Sequence, residues 1–157
     1  MIRQFTATVY LIQDNKVLLI HHRKLDKWLP PGGHVDPHEL PSEAAIREAM
    51  EETGYEVDLI SQENFWIDRW NAKSFPRPYL CLLEEIPARP SEPAHQHMDM
   101  VYLGKIKGGI MAQNEGETKG LRWFSLEEIE SLETDVEIFD ETKQLLKTLL
   151  KPTQVGV

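Results

Sequence analysis

Residues 33–55 read GHVDPHELPSEAAIREAMEETGY. Proline is tolerated in the first turn of a helix, serine is a common cap, and glycine commonly follows a helix. Pro41, Ser42 and Gly54 therefore bracket a predicted helix. It carries Glu48, Glu51 and Glu52 at i, i+3 and i+4, on one face within a sector of roughly 100°. Ile46, Ala49 and Met50 fall on the other side, which is expected to pack on a sheet. Glu51 and Glu52 lie in the last turn, where the helix dipole disfavours acidic side chains by about 0.3–1 kcal/mol each. No lysine offsets them. Arg47 is the helix's basic residue, at i±4 from Glu43 and Glu51. A purely solvated face would place basic residues in that turn. The pattern fits a bound divalent cation better, and oxygen donors select a hard ion, Mg²⁺ or Mn²⁺.

Outward from this helix, residues 5–12 are β-rich, Asp14-Asn15 form a turn, and 16–22 resume as a strand, so a hairpin is expected. Residues 25–33, LDKWLPPGG, read as a rigid loop. Strands are predicted over 55–68, 79–86, 98–106 and 121–124, with proline-bearing 88–96 and glycine-bearing 108–120 as loops. Ser125 and Glu128 form a capping box for a short helix. Residues 135–150 are amphipathic at helical spacing. Strands come first and helices are few, so the fold class is α/β of the α+β kind, a mixed sheet covered by helices.

The 157 residues suit one domain with a sizeable core. A formal net charge of −9 argues against a surface for duplex nucleic acid, although metal ions can bring polyphosphates to an acidic protein. Cys81 is the single cysteine, so no intrachain disulfide is expected and a reducing, cytoplasmic setting fits. No signal-peptide pattern opens the chain, and no apolar run approaches the ~20 residues of a membrane span. A monomer or a homodimer is expected.

The pattern Gly33, Glu39, Arg47-Glu48, Glu51-Glu52, Gly54 resembles the Nudix box, without gap or substitution at those positions. Ala49 and Tyr55 stand where that family has bulky aliphatics, which touches packing more than chemistry. The resemblance implies an α/β/α sandwich spanning 1–157. It implies metal-dependent cleavage of a pyrophosphate bond in a nucleoside diphosphate linked to another group. Glu48, Glu51, Glu52 and the Gly32 carbonyl would bind the metal, Arg47 would orient the glutamates, and Glu39 would support the site. The general base would be Glu48 or a distal loop acid, Glu115 or Glu117. The proline or tyrosine that marks ADP-ribose and dinucleoside polyphosphate enzymes falls at 70–73, where neither occurs. NADH-type and coenzyme A-type signatures are also not evident, which leaves a MutT-like or general nucleotide hydrolase. Isopentenyl-diphosphate isomerisation shares the fold but requires a catalytic cysteine, and Cys81 sits in an apolar strand. A nucleotide-sensing domain without catalysis would normally have broken carboxylates.

Arg23 and Gly33 are candidate substrate contacts beside the glycine loop. His95, His97 and Asp99 alternate along a strand face. Lining a substrate pocket ranks first for them, ahead of a plain exposed face and of an independent metal set; His97 and Asp99 are the pocket candidates. Trp28 is expected to pack rather than stack on a base, and Cys81 is expected to be a buried core thiol.

Overall fold

A computed structural model describes residues 1–153. Strands β1 (Arg3–Gln13) and β2 (Lys16–His22) form the expected hairpin. Asp14 and Asn15 turn it at φ of 51° and 57°, the left-handed conformation that tight hairpin turns demand. The expected rigid loop contains two short strands, β3 (Lys27–Leu29) and β4 (Gly32–His34). Helix α1 (Pro41–Thr53) and β5 (Tyr55–Ile60) follow, then β6 (Leu80–Ile86), β7 (His95–Gly109) and β8 (Thr118–Phe124). Helices α2 (Leu126–Ser131) and α3 (Asp140–Leu149) close the described chain.

The eight strands make one mixed sheet in which β1 and β7 run parallel and every other pairing is antiparallel. Alternation along β1 divides the core. Ala7, Val9 and Leu11 point to one face, beneath Ala44, Ala45 and Ala49 of α1. Tyr10, with Val17, Leu19 and Val101, points to the other, beneath Ile129 of α2 and Leu146 of α3. The result is the α/β/α sandwich that the resemblance implied.

Several boundaries moved for identifiable reasons. The strand predicted to reach residue 68 stops at Ile60, because β6 takes over the same edge of β7 from Val101 onward. The strand expected over 98–106 runs from 95 to 109, paired by β1 and β6 at one end and β5 at the other. β8 starts at 118 because β2 offers partners back to His22. The last helix begins at Asp140 rather than near 135. Asp135 has φ 62°, which no helix accepts, and its Oδ1 instead receives the Asp140 N–H at 3.1 Å. Cys81 is exposed, not buried, on the sheet face that α1 leaves uncovered beside β6. Among the described residues, no helix is long and apolar enough to cross a membrane.

Candidate active site

The local fold of α1 delivers two carboxylates inward. Leu40, not Ser42, occupies the cap position, and the Glu43 carboxylate accepts the Leu40 N–H at 2.9 Å. Gly54 ends the helix at φ 79°, donating to Met50 O at 2.9 Å; a Cβ there would overlap the Ile110 carbonyl. The expected packing face is reversed in part. Ile46 and Met50 are exposed, whereas Glu48 and Glu52 are buried, with Glu52 only 2% exposed. The reason is size. Ala44, Ala45 and Ala49 let the helix approach the sheet closely, and Glu48 and Glu52 continue that stripe one turn at a time. The bulk of Ile46 and Met50 misdirected the helical-wheel reading. Gly33 makes room at the sheet edge, since a Cβ at that position would overlap the Glu48 carboxylate.

Glu48, Glu52 and Glu117 each offer an oxygen within 4.8 Å of the others. Glu52 Oε1 accepts the Gly32 N–H at a long 3.4 Å, and its Oε2 is buried with no hydrogen-bond partner. Burial pushes the Glu52 carboxyl up to about 9, and the neighbouring Glu48 and Glu117 carboxylates add to the effect. An orphaned buried oxygen among converging carboxylates is the arrangement a hard divalent cation satisfies. The residues present therefore fit such an ion.

Arg47 organises the acids. Its Nε and Nη2 grip Glu39 at 2.7 and 2.9 Å, Nη1 reaches Glu48 Oε1 at 3.0 Å, and Nη2 also donates to His34 O at 3.1 Å. Glu39 in turn accepts the Asp36 N–H at 3.1 Å. The Arg47 bonds hold the Glu39 carboxyl below the usual carboxylate range. A bidentate fork with branches to Glu48 and His34 requires a planar guanidinium. Arg47→Lys is expected to lower turnover by roughly 10–100-fold, the usual effect of losing a ligand-orienting partner. Steady-state kinetics with a circular-dichroism control checks this; unchanged turnover would sink the positioning role.

Two clefts meet beside the cluster. One, of 470 Å³, is lined by Arg23, Gly33, Glu48 and Glu117 among others. The second, of 830 Å³, lies on the α3 face of the sheet and holds His95, His97, Asp99, Glu84 and Phe139. His22, Lys24 and Gly32 to His34 line both, so the cavities are continuous at the glycine strand.

Comparison with known proteins agrees with this architecture. The NUDIX domain model matches residues 2–146. The chain belongs to the Nudix family. A Bacillus subtilis (strain 168) protein named "Putative 8-oxo-dGTP diphosphatase" is 30% identical over 80% of this chain and 68% of its own length. A Rattus norvegicus bis(5'-nucleosyl)-tetraphosphatase [asymmetrical] is 36% identical over 61% of this chain and 65% of its own. The chain thus spans about two thirds of the length of these curated relatives. A crystal structure of a Nudix-family hydrolase from Clostridium perfringens superposes with a TM-score of 0.72 at 31% identity, covering 95% of this chain and 99% of that one.

Within this Nudix fold the other candidates fall as follows. Glu51 is exposed, bonded to Arg47 at 3.3 Å, and is not brought into the three-carboxylate cluster. Arg23 ties down the acid-bearing loop: its N–H donates to Glu117 O at 3.0 Å and its Nε to Glu115 O at 2.5 Å. Glu117 joins the cluster; the Glu115 side chain does not. His95, His97 and Asp99 share one face of β7 and line the larger cavity. His95 Nε2 and His97 Nε2 are 3.2 Å apart, and burial pushes the His97 imidazole down to about 4. Trp28 packs, stacked on His21 and edge-on to Phe124. Sequence reasoning missed Thr6, Thr8, Lys24 and Glu84. Glu84 carried a usable signal, as a charge in the otherwise apolar LCLLEEI strand at a position that faces the cavity.

Proposed function

We propose that this Nudix protein hydrolyses a nucleoside 5′-polyphosphate at a pyrophosphate bond, by attack of water on phosphorus, with Mg²⁺ as the cation and Mn²⁺ able to replace it. The single observation that carries this reading is the partnerless Glu52 Oε2 inside the Glu48–Glu52–Glu117 cluster. Glu48 and Glu52 would hold the cation with the Gly32 carbonyl, and Glu51 stands beside them at the rim. Bound there, the ion would neutralise charge on the phosphates and acidify water. Arg47 holds Glu48 in place through Glu39 and His34. Glu117 is the carboxylate suited to take the proton of the attacking water. It is exposed, and among the described residues its side chain makes neither an ion pair nor a hydrogen bond, whereas Glu48 is engaged by Arg47. Arg23 and Lys24 line the smaller cleft and give the substrate phosphates positive partners.

Nucleoside triphosphates and dinucleoside polyphosphates, offered one at a time with Mg²⁺, test the reading. The expected result is metal-dependent release of phosphate or pyrophosphate, with ¹⁸O from solvent water in one product. Binding of a nucleotide without release from any member of the panel would instead favour a sensing domain.

A further inference from the structure

Three imidazoles line the larger cavity, and the hydrolytic reading gives them no role. His95 and His97 alternate on β7 and so share one face of the sheet. His34 reaches that face from β4 across β1, where His34 pairs with Thr6 and His97 with Gln4. His95 is 4% exposed and its ring is braced. Nδ1 lies 3.0 Å from Pro93 O, which can only accept, so Nδ1 carries a proton. In the neutral ring Nε2 is then a bare lone pair, and it faces His97 Nε2 at 3.2 Å. Among the described residues, the His97 side chain makes no other hydrogen bond. His34 stands edge-on to His97, with ring centroids 5.0 Å apart. Its Nε2 lies 2.8 Å from Gln4 Oε1, another pure acceptor, which leaves Nδ1 as its lone pair.

A metal-bound histidine almost always donates its other ring N–H to a carbonyl or carboxylate, as His95 does to Pro93. Two nitrogens on one tetrahedral Zn²⁺, each about 2.0–2.1 Å from the ion, stand roughly 3.3 Å apart. The 3.2 Å between His95 and His97 matches that span. Without metal, a single proton on His97 Nε2 fills the gap. An ion can replace it, because that proton can move to the unengaged His97 Nδ1 and both rings stay neutral. The His34 lone pair is not within 4.8 Å of both other rings, so His34 must swing in to complete the set. It is exposed, and the swing gives up its bond to Gln4. Asp99, next in the alternation, is already taken: its carboxylate accepts the Thr6 and Thr8 hydroxyls at 3.0 and 2.9 Å. The free donors are therefore imidazoles, which suit Zn²⁺, Cu²⁺ or Ni²⁺, whereas carboxylates suit Mg²⁺ or Mn²⁺.

We propose that His95 and His97, with His34 as the third imidazole, form a second metal site that takes an ion of the Zn²⁺ class and is chemically separate from the Glu48–Glu52–Glu117 cluster. Three imidazoles leave a fourth tetrahedral position for water or for a donor atom of whatever occupies the cavity. The site does not depend on the hydrolase reading.

Zn²⁺ alone is the probe. The full chain, in excess Mg²⁺, is titrated with Zn²⁺ by calorimetry while the histidine ring nitrogens are followed by ¹⁵N NMR. The expected result is a Zn²⁺ ion that Mg²⁺ does not displace. The Nε2 signals of His95 and His97 should move to metal-bound positions, and His95 should keep its Nδ1 proton. His95→Gln and His97→Gln should each weaken Zn²⁺ binding by at least about tenfold, since a direct ligand is worth no less than an outer-shell partner. Glu52→Gln, which disables the carboxylate site, should retain it. His97 is half-buried, so His97→Gln tests the site where the buried His95→Gln fails to fold. No such Zn²⁺, Zn²⁺ that survives the histidine substitutions, Zn²⁺ lost in Glu52→Gln, or ring signals unmoved at saturation overturns the proposal.

Discussion

Glu52→Gln is expected to lower metal-dependent hydrolysis by roughly a thousandfold, since Lewis-acid stabilisation at phosphorus is worth several kcal/mol. Calorimetric titration should show weakened Mg²⁺ and Mn²⁺ binding in the same variant. A second readout separates this from misfolding. Without metal, the folded state holds the Glu52 carboxyl at about 9 rather than 4.5, so the neutral form is favoured by the fold. A raised pKa contributes stability that is complete below the unfolded value and is lost as pH rises through the folded one. The thermal midpoint of the metal-free protein should therefore fall as pH climbs from 4.5 to about 9. Glu52→Gln removes this contribution and should flatten that fall. Adding Mg²⁺ to wild type should flatten it as well, by satisfying the orphaned oxygen with a cation. A variant that hydrolyses normally would remove Glu52 from the chemistry.

Glu117→Gln is the second large effect. Loss of a general base lowers turnover by about 10²–10⁴-fold. The amide keeps the shape of the side chain, and the loop remains tied by backbone bonds from Arg23 to Glu117 and from Glu117 to Asn114. Mg²⁺ affinity should change little, because Glu48 and Glu52 hold the ion in this reading. Glu115→Gln should leave turnover near wild type, since that side chain is not part of the cluster. Equal losses in both variants, or a Glu117→Gln enzyme that fails through metal affinity alone, would assign the base elsewhere.

The reaction class was legible because it depends on residues close together in the chain. Glu48 and Glu52 lie one turn apart, Gly54 ends the helix, and Arg47 sits beside the acids it holds. Helical geometry converts those separations directly into neighbours in space. The inward direction of that helix was not legible, because hydrophobicity marked Ile46 and Met50 as the buried pair. What buries a helix face is how closely its backbone can approach the sheet, and three alanines set that distance. The boundaries of β5 and β7 were likewise beyond local reading. They follow from competition between β5 and β6 for one edge of β7, which no window of residues contains.

By itself, then, the sequence determined the helix, its carboxylates and the mixed sheet, all from short-range periodicity and the conformational limits of proline and glycine. Tertiary structure alone decided which distal acid joins the cluster. Arg23 ties 115–117 down beside the site across 92 residues of chain, and Glu117 joins the cluster while Glu115 does not. It also decided that the Asp99 carboxylate is held by the hydroxyls of Thr6 and Thr8, more than 90 positions away. Strand register creates such contacts. It is set by which edges remain free once the core has formed, a property of the whole sheet.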